Sequence, residues 1–127
     1  MSIYVSLRYR DAPAAIDFLC DAFGFERHVV HEDEGIVHHA ELRLGDSMVM
    51  LASERDDAEQ PNRAGLGWTY VGTENADALF ERAKAAGAEV LREPFDTDYG
   101  SRDFGVRDPE GNVWNFGTYD PVRDAGG

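Results

Sequence analysis

The chain has 127 residues, of which 43% are hydrophobic and 29% charged, with 7 Phe, 5 Tyr and 2 Trp. That composition builds a core in one domain or two small joined modules, and it excludes wholesale disorder. The charge balance is 25 acidic against 12 basic residues, a net charge of -13; such a field repels nucleic acid and anionic membranes and draws cationic ligands.

The longest apolar run, Met48 to Ala52, is far shorter than the roughly 20 residues a membrane helix needs. The opening Met-Ser-Ile-Tyr-Val-Ser-Leu-Arg has no basic region followed by an apolar stretch, so no secretory signal is expected. Cys20 is the lone cysteine and has no partner for an internal disulfide, so a cytoplasmic protein is expected.

In chain order, residues 3–9 alternate Ile3, Val5 and Leu7 against Tyr4, Ser6 and Arg8, the period of a strand. Asp11 then reads as a helix cap, with Pro13 in the first turn; Ala15, Ile16, Leu19 and Phe23 recur at helical spacing, and Gly24 ends the helix. Residues 25–31 form a second strand, and the acidic Glu32–Gly35 a turn. Residues 36–44 form a third strand, Gly45-Asp46 a hairpin, and residues 47–52 a fourth strand. The polar segment 53–65, with Pro61-Asn62, reads as a linker.

After the linker the pattern repeats. Residues 67–71 form a strand. A helix capped by Asn75 or Thr73 carries Ala76, Leu79, Phe80, Ala83 and Ala86 on one stripe and ends at Gly87. Strands follow at 89–95, 102–107 and 113–119, with Asp108-Pro-Glu-Gly-Asn112 as the turn between the last two. The helix-ending glycines, Gly24 and Gly87, lie in matching words, Ala-Phe-Gly-Phe-Glu and Ala-Ala-Gly-Ala-Glu. The order β-α-β-β-β is thus written twice, as two copies of one α+β module (module one 1–52, linker 53–65, module two 66–120). Neither copy alone buries both its helix stripe and its sheet, so the copies pack together. The expected architecture is a curved sheet with a central cup and helices on the outside.

Three stretches carry a family resemblance: Asp11-Ala-Pro-Ala-Ala-Ile-Asp-Phe-Leu-Cys-Asp-Ala-Phe-Gly-Phe-Glu26, His39-Ala-Glu-Leu-Arg-Leu-Gly-Asp-Ser-Met-Val-Met-Leu51 and Phe104-Gly-Val-Arg-Asp-Pro-Glu-Gly-Asn-Val-Trp-Asn-Phe116. With the paired modules, they resemble the vicinal-oxygen-chelate superfamily, which takes in glyoxalase I, extradiol dioxygenases, fosfomycin-resistance proteins and bleomycin-binding proteins. The resemblance implies the paired-module fold and, since most relatives dimerise, a homodimer. One scaffold runs many chemistries there, so function must be argued from the site.

In the enzymes of that superfamily, metal ligands come from the first and last strands of each module. Carried over, those positions are Tyr4, Met50, Trp68 and Asn115. None is a good ligand for a hard or borderline divalent ion, and the neighbours on either side offer no histidine or carboxylate. No metal and no other cofactor is therefore expected. His28 and His31, three apart on a strand, are expected on opposite faces, and so are the adjacent His38 and His39; only His39 and Glu41 share a face. Two ligands fall short of the three that a catalytic zinc site normally has. No phosphate-cradling loop or nucleophile elbow appears, and Cys20 reads as a small buried side chain.

Strand alternation places Tyr4, Met48, Met50, Trp68, Tyr70 and Tyr119 in the cup, an aromatic and methionine lining. Arg8, His39, Glu41, Arg43 and Asn115 supply polar contacts. The expected binding set is Tyr4, Arg8, His39, Glu41, Met50, Trp68, Tyr70 and Asn115. The function expected from it is metal-independent binding of a small organic ligand, cationic or aromatic, in the manner of proteins that sequester a drug-like compound or secondary metabolite. The competing expectation is a metal-dependent lyase, isomerase or dioxygenase of the same superfamily, with an atypical site around His39 and Glu41.

Overall fold

The computed structural model describes residues 2–55, 63–65 and 67–122. The elements are β1 (Ser6–Tyr9), α1 (Ala12–Phe23), β2 (Glu26–Asp33), β3 (Ile36–Leu44), β4 (Ser47–Ser53), β5 (Trp68–Gly72), α2 (Ala76–Ala85), β6 (Glu89–Asp96), β7 (Arg102–Arg107) and β8 (Val113–Gly117). This is the α+β class, with the βαβββ module present twice. Residues 56–62 of the expected linker lie outside the described residues.

Both helices start on a side-chain cap. The Asp11 carboxylate accepts the Ala14 N–H at 3.2 Å, and the Asn75 amide oxygen accepts that of Ala78 at 3.1 Å. Gly24 closes α1 in the left-handed conformation (φ 84°), its N–H donating to Cys20 O at 3.1 Å. The apolar stripe of α1 buries Ala15, Ile16, Leu19, Ala22 and Phe23; α2 buries Ala76, Phe80 and Ala83. Arg82 of α2 crosses to the end of α1 and donates to the carbonyls of Asp21 (2.9 Å) and Cys20 (3.2 Å), a cation at the negative pole of a helix.

Each module folds its strands into a four-stranded mixed sheet, in the orders β1-β4-β3-β2 and β5-β8-β7-β6. The first strand of each runs parallel to the last, and the remaining pairs are antiparallel. The two sheets are separate, open and uncurled, with β1 and β5 as edges. One face of each sheet is buried. Leu7, Leu42, Val49 and Leu51 on sheet one, and Phe104, Val106, Trp114 and Phe116 on sheet two, join the helix stripes in one hydrophobic core.

Phe23 and Phe25 carry that core across the module boundary. The Phe23 ring centre lies 5.2 Å from that of Trp114 and 4.8 Å from that of Phe116, and the Phe25 ring 5.7 Å from that of Trp114. A polar clamp adds to this seam. The Tyr9 hydroxyl donates to Asp108 Oδ2 at 2.6 Å, and the Trp114 indole N–H donates to the same oxygen at 3.1 Å. Asp108 Oδ1 accepts from the backbone N–H groups of Glu110 and Asn112, and Glu110 accepts from those of Arg10 (2.5 Å) and Asp11 (2.9 Å). The 108–112 turn of module two thereby grips the β1–α1 corner of module one.

The first strand is shorter than its alternation predicts. It begins at Ser6, and Ile3 is 98% exposed, because the described backbone ties residues 2–5 to β4 by a single bond, Met50 N–H to Val5 O. Strand β2, in turn, runs two residues beyond its expected end, to Asp33.

Candidate functional site

The face of sheet one opposite the core carries most of the expected site. Ser6 pairs with Met50, Met50 with Glu41, and Met48 with Arg43, so these side chains share a face. Arg8 lies on the same face two residues beyond Ser6, opposite Ala52. Tyr4, Glu41, Met48 and Met50 close around a hollow of about 240 Å³. A second hollow, of about 540 Å³, runs between the module edges; Tyr4, Val5, Phe25, Met48, Val49 and Tyr70 are among its walls. Tyr4 and Met48 belong to both. Tyr4 stays 56% exposed, so its ring is free to meet a ligand.

Imidazoles crowd this face more than strand alternation allows. The expectation that His28 and His31 face opposite sides, leaving only His39 with Glu41, is overturned. The β2–β3 register slips between Arg27 and Val29 and again between His31 and Glu32. Such bulges add a residue to one strand and re-aim its neighbours. His28 Nε2 consequently lies 4.0 Å from Glu41 Oε1, and the His31 ring stacks on that of His39 with centres 6.4 Å apart. His39 Nε2 bonds Glu41 Oε2 at 2.8 Å, and Arg43 reaches His28 Nδ1 at 3.5 Å.

The remaining expected residues lie on the second sheet. Tyr70 pairs with Asn115, and Asn115 with Gly105, on the open face. A side chain at Gly105 would meet Asn115 Oδ1 at 2.8 Å, so the glycine makes the room that Asn115 occupies. The Tyr70 hydroxyl donates to Tyr119 O at 2.5 Å, and burial raises the Tyr70 pKa. Trp68 is 65% exposed. Among the described residues, neither Trp68 nor Asn115 lines the two hollows. The expected set is thus split: Tyr4, Arg8, His39, Glu41 and Met50 on one sheet, Trp68, Tyr70 and Asn115 on the other, with Tyr70 reaching the groove between.

The four positions where the superfamily's enzymes place metal ligands do not fit an ion here. Tyr4 and Met50 meet at one hollow, while Trp68 and Asn115 stand on the other sheet. No three His, Cys, Asp or Glu side chains among the described residues form a set that could hold a metal.

Two features of the structure escaped the sequence. The Asp108 clamp was visible only as a turn signal, because its partners Tyr9 and Trp114 are distant in sequence. Arg55 lay inside the expected linker; its guanidinium reaches His38 O at 3.3 Å and its charge is felt by Arg8. Burial first, and the Arg55 charge second, pull the Arg8 guanidinium below its ordinary pKa.

Two βαβββ modules with a ligand-sized hollow between open sheets define a class of small-molecule-handling proteins built on one scaffold. The chain belongs to the Glyoxalase/Bleomycin resistance protein/Dioxygenase superfamily, whose sequence model matches residues 3–116. An uncharacterized protein of Mycobacterium tuberculosis (strain H37Rv) is 36% identical over 125 residues, covering 90% of this chain and 71% of that protein. TioX from Micromonospora sp. ML1 superposes with a TM-score of 0.80 at 30% identity, covering 92% of this chain and 97% of that one. The lactoylglutathione lyase of Agrobacterium tumefaciens gives 0.68 at 25% identity, covering 92% of each chain. No helix among the described residues is long and apolar enough to cross a membrane.

Proposed function

We propose that the protein is a metal-independent binder of a small organic molecule, acting by sequestration of a drug-like or secondary-metabolite ligand. The observation that carries this reading is the meeting of the two hollows at Tyr4 and Met48. There an exposed aromatic ring, two methionines and Tyr70 surround space of the size that small ligands fill. The lining supports the aromatic half of the expected ligand character. Calorimetric titration with a panel of flat aromatic compounds, cationic and quinone-like ones included, tests it. Saturable binding is expected for some members, weakened about tenfold by Tyr4→Ala, since loss of one stacked ring is worth roughly 1–1.5 kcal/mol. Silence across the panel defeats the proposal. The homodimer implied by the resemblance belongs to the same reading, and a single clean monomer on sedimentation removes it.

A second reading is favoured by the 2.8 Å contact of His39 with Glu41, the geometry of an imidazole base held by a carboxylate. It would make the protein a metal-dependent lyase, isomerase or dioxygenase of the same superfamily, with an atypical site around these two residues. Elemental analysis of protein purified without chelators separates the two: about one equivalent of zinc, nickel, manganese or iron favours the enzyme.

A further inference from the structure

We infer that the hollow walled by Tyr4, Glu41, Met48 and Met50 seats an organic ammonium group, with the Glu41 carboxylate as its counter-charge and His39 and His28 as the proton gate on that carboxylate. The inference rests on the binding reading above and names the charge of the ligand's head group.

The chemistry of the walls carries it. Of the four side chains around the hollow, Glu41 is the charged one; the others are an exposed tyrosine ring and two thioethers. A ring face, polarisable sulfur and a carboxylate together suit an ammonium ion. Glu41 is within reach of such a partner, its side chain being 28% exposed. Its Oε2 accepts from His39 Nε2 at 2.8 Å, whereas its Oε1 has His28 Nε2 at 4.0 Å, beyond hydrogen-bond distance. That second oxygen keeps room for an ammonium N–H. The larger groove continues from Tyr4 and Met48, and Asp46 and Asp120 stand in its walls. It takes the ligand's apolar body, and its carboxylates keep the approach negative.

The basic groups of this face turn aside or turn to Glu41 itself. On β1, Arg8 Nη1 donates to Ser6 Oγ at 3.0 Å; on β3, Arg43, opposite Met48, reaches His28 Nδ1 at 3.5 Å. Strand β4 brings the uncharged Met48 and Met50. Strand β2 brings His28 and His31, the latter stacked on His39. His28, His39 and a ligand cation thus compete for one carboxylate. Histidine changes charge between about pH 5 and 8. Protonated imidazoles hold Glu41 and repel a second cation, and neutral ones yield the carboxylate. Ammonium binding therefore favours the deprotonated imidazoles: affinity rises with pH across that range, and binding releases protons. The ion pair forms well inside the Debye length of about 10 Å at 0.1 M salt, so the preference persists at ordinary ionic strength.

The test is calorimetric titration with 2-naphthylmethylammonium and its uncharged isostere 2-naphthylmethanol, at pH 5.5 and pH 8. It is run on the parent protein, on Glu41→Gln, and on the double variant His28→Gln with His39→Gln. At pH 8 the parent should bind the ammonium about tenfold tighter than the alcohol, and at pH 5.5 most of that preference should be gone. Glu41→Gln should bring the two probes within about twofold of each other at both pH values. The double variant keeps the carboxylate and should hold the preference at pH 5.5. Cooperative urea transitions establish that the variants are folded. Equal binding of the two probes by the parent at pH 8 overturns the inference and leaves the hollow's role intact. So does a preference that survives Glu41→Gln, which would put the cation on Asp46 or Asp120, or a preference unchanged at pH 5.5. Failure of both probes defeats the binding reading, and the inference with it. Should a variant not fold, the parent decides the matter alone, by titrating the ammonium at pH 6.5 in two buffers of different ionisation enthalpy: net proton release sustains the gate, and its absence ends it.

Discussion

Replacing Tyr9 by Phe removes one hydroxyl from the seam between the modules and little else. That hydroxyl is buried, and its 2.6 Å bond to Asp108 joins β1 to a turn 99 residues away. A hydrogen bond to an ionised group contributes about 1.5–3 kcal/mol. Asp108 keeps the Trp114 indole and the Glu110 and Asn112 amides as donors, so it is not orphaned, and the cost falls in the lower half, about 1.5–2 kcal/mol. Against a total of roughly 5–15 kcal/mol that is a sizeable share, equivalent to about 5–8 °C in Tm for a domain of this length. The tyrosine also leaves a signature in pH. Burial first, and the Asp108 charge second, raise its pKa above the ordinary 10.0. The folded protein therefore keeps this proton where the unfolded chain releases it. Stability from this source is complete below pH 10 and declines above it, by up to about 1.4 kcal/mol per pH unit. Urea denaturation at pH 7, 10 and 11 reads both effects. The Tyr9→Phe variant should be weaker at pH 7 and lose less on going to pH 11, with Tyr70, also raised by burial, giving both proteins a residual slope. A variant within about 0.5 kcal/mol of the parent at pH 7, or one with an equal alkaline slope, would refute the clamp.

Phe23→Ala should cost about 3–5 kcal/mol in the same assay, because the ring is 2% exposed and wedged between Trp114 and Phe116; a loss under about 1 kcal/mol would mean the modules do not depend on this seam. Gly24→Ala should cost about 1 kcal/mol, since a Cβ is disfavoured at φ 84° and would also press on the Arg82 guanidinium at 3.0 Å; an unchanged denaturation midpoint would count against the left-handed cap. Gly117→Ala places a methyl on Asp103 Oδ1 and 2.5 Å from the Tyr70 hydroxyl, and should lower Tm through about 1–2 kcal/mol of overpacking. Thermal melts should also show Tyr70→Phe softening that penalty, because the hydroxyl the methyl meets is gone; an undiminished penalty in the double variant would place the clash elsewhere.

Element order was readable because each helix announces itself twice, by a side-chain cap and by a terminal glycine, and because strand periods are clean where one face is buried. Residues 36–44 and 102–107 are strands over the expected spans. Periodicity fails where pairing fails. Ile3 and Val5 alternate as a strand would, but the one bond from Met50 N–H to Val5 O does not extend the ladder to Ile3, and alternation alone does not order a backbone. It fails again at β2, where the register slip between Arg27 and Val29 brings His28 round to the face that His31 shares with His39 and Glu41. No residue in Arg27-His-Val-Val-His-Glu32 marks a bulge in the way a glycine would.

The candidate site was legible only to the extent that it is local. Tyr4, Glu41 and Met50 could be placed on one face by counting along strands, and they do meet. Whether Trp68 and Asn115 join them depends on how the two sheets are set, and that is decided by the long-range seam of Phe23, Trp114, Tyr9 and Asp108, which no local pattern encodes. The charge of the ligand is a separate question from the shape of its seat. A total of -13 averages over the whole surface, whereas recognition is settled over a few ångströms. Salt separates the two scales. If the overall field governs binding, added salt should weaken the affinity for a cationic aromatic probe by screening its attraction to the chain. If the lining at Tyr4 and Met48 governs it, the same salt should leave that affinity within about twofold.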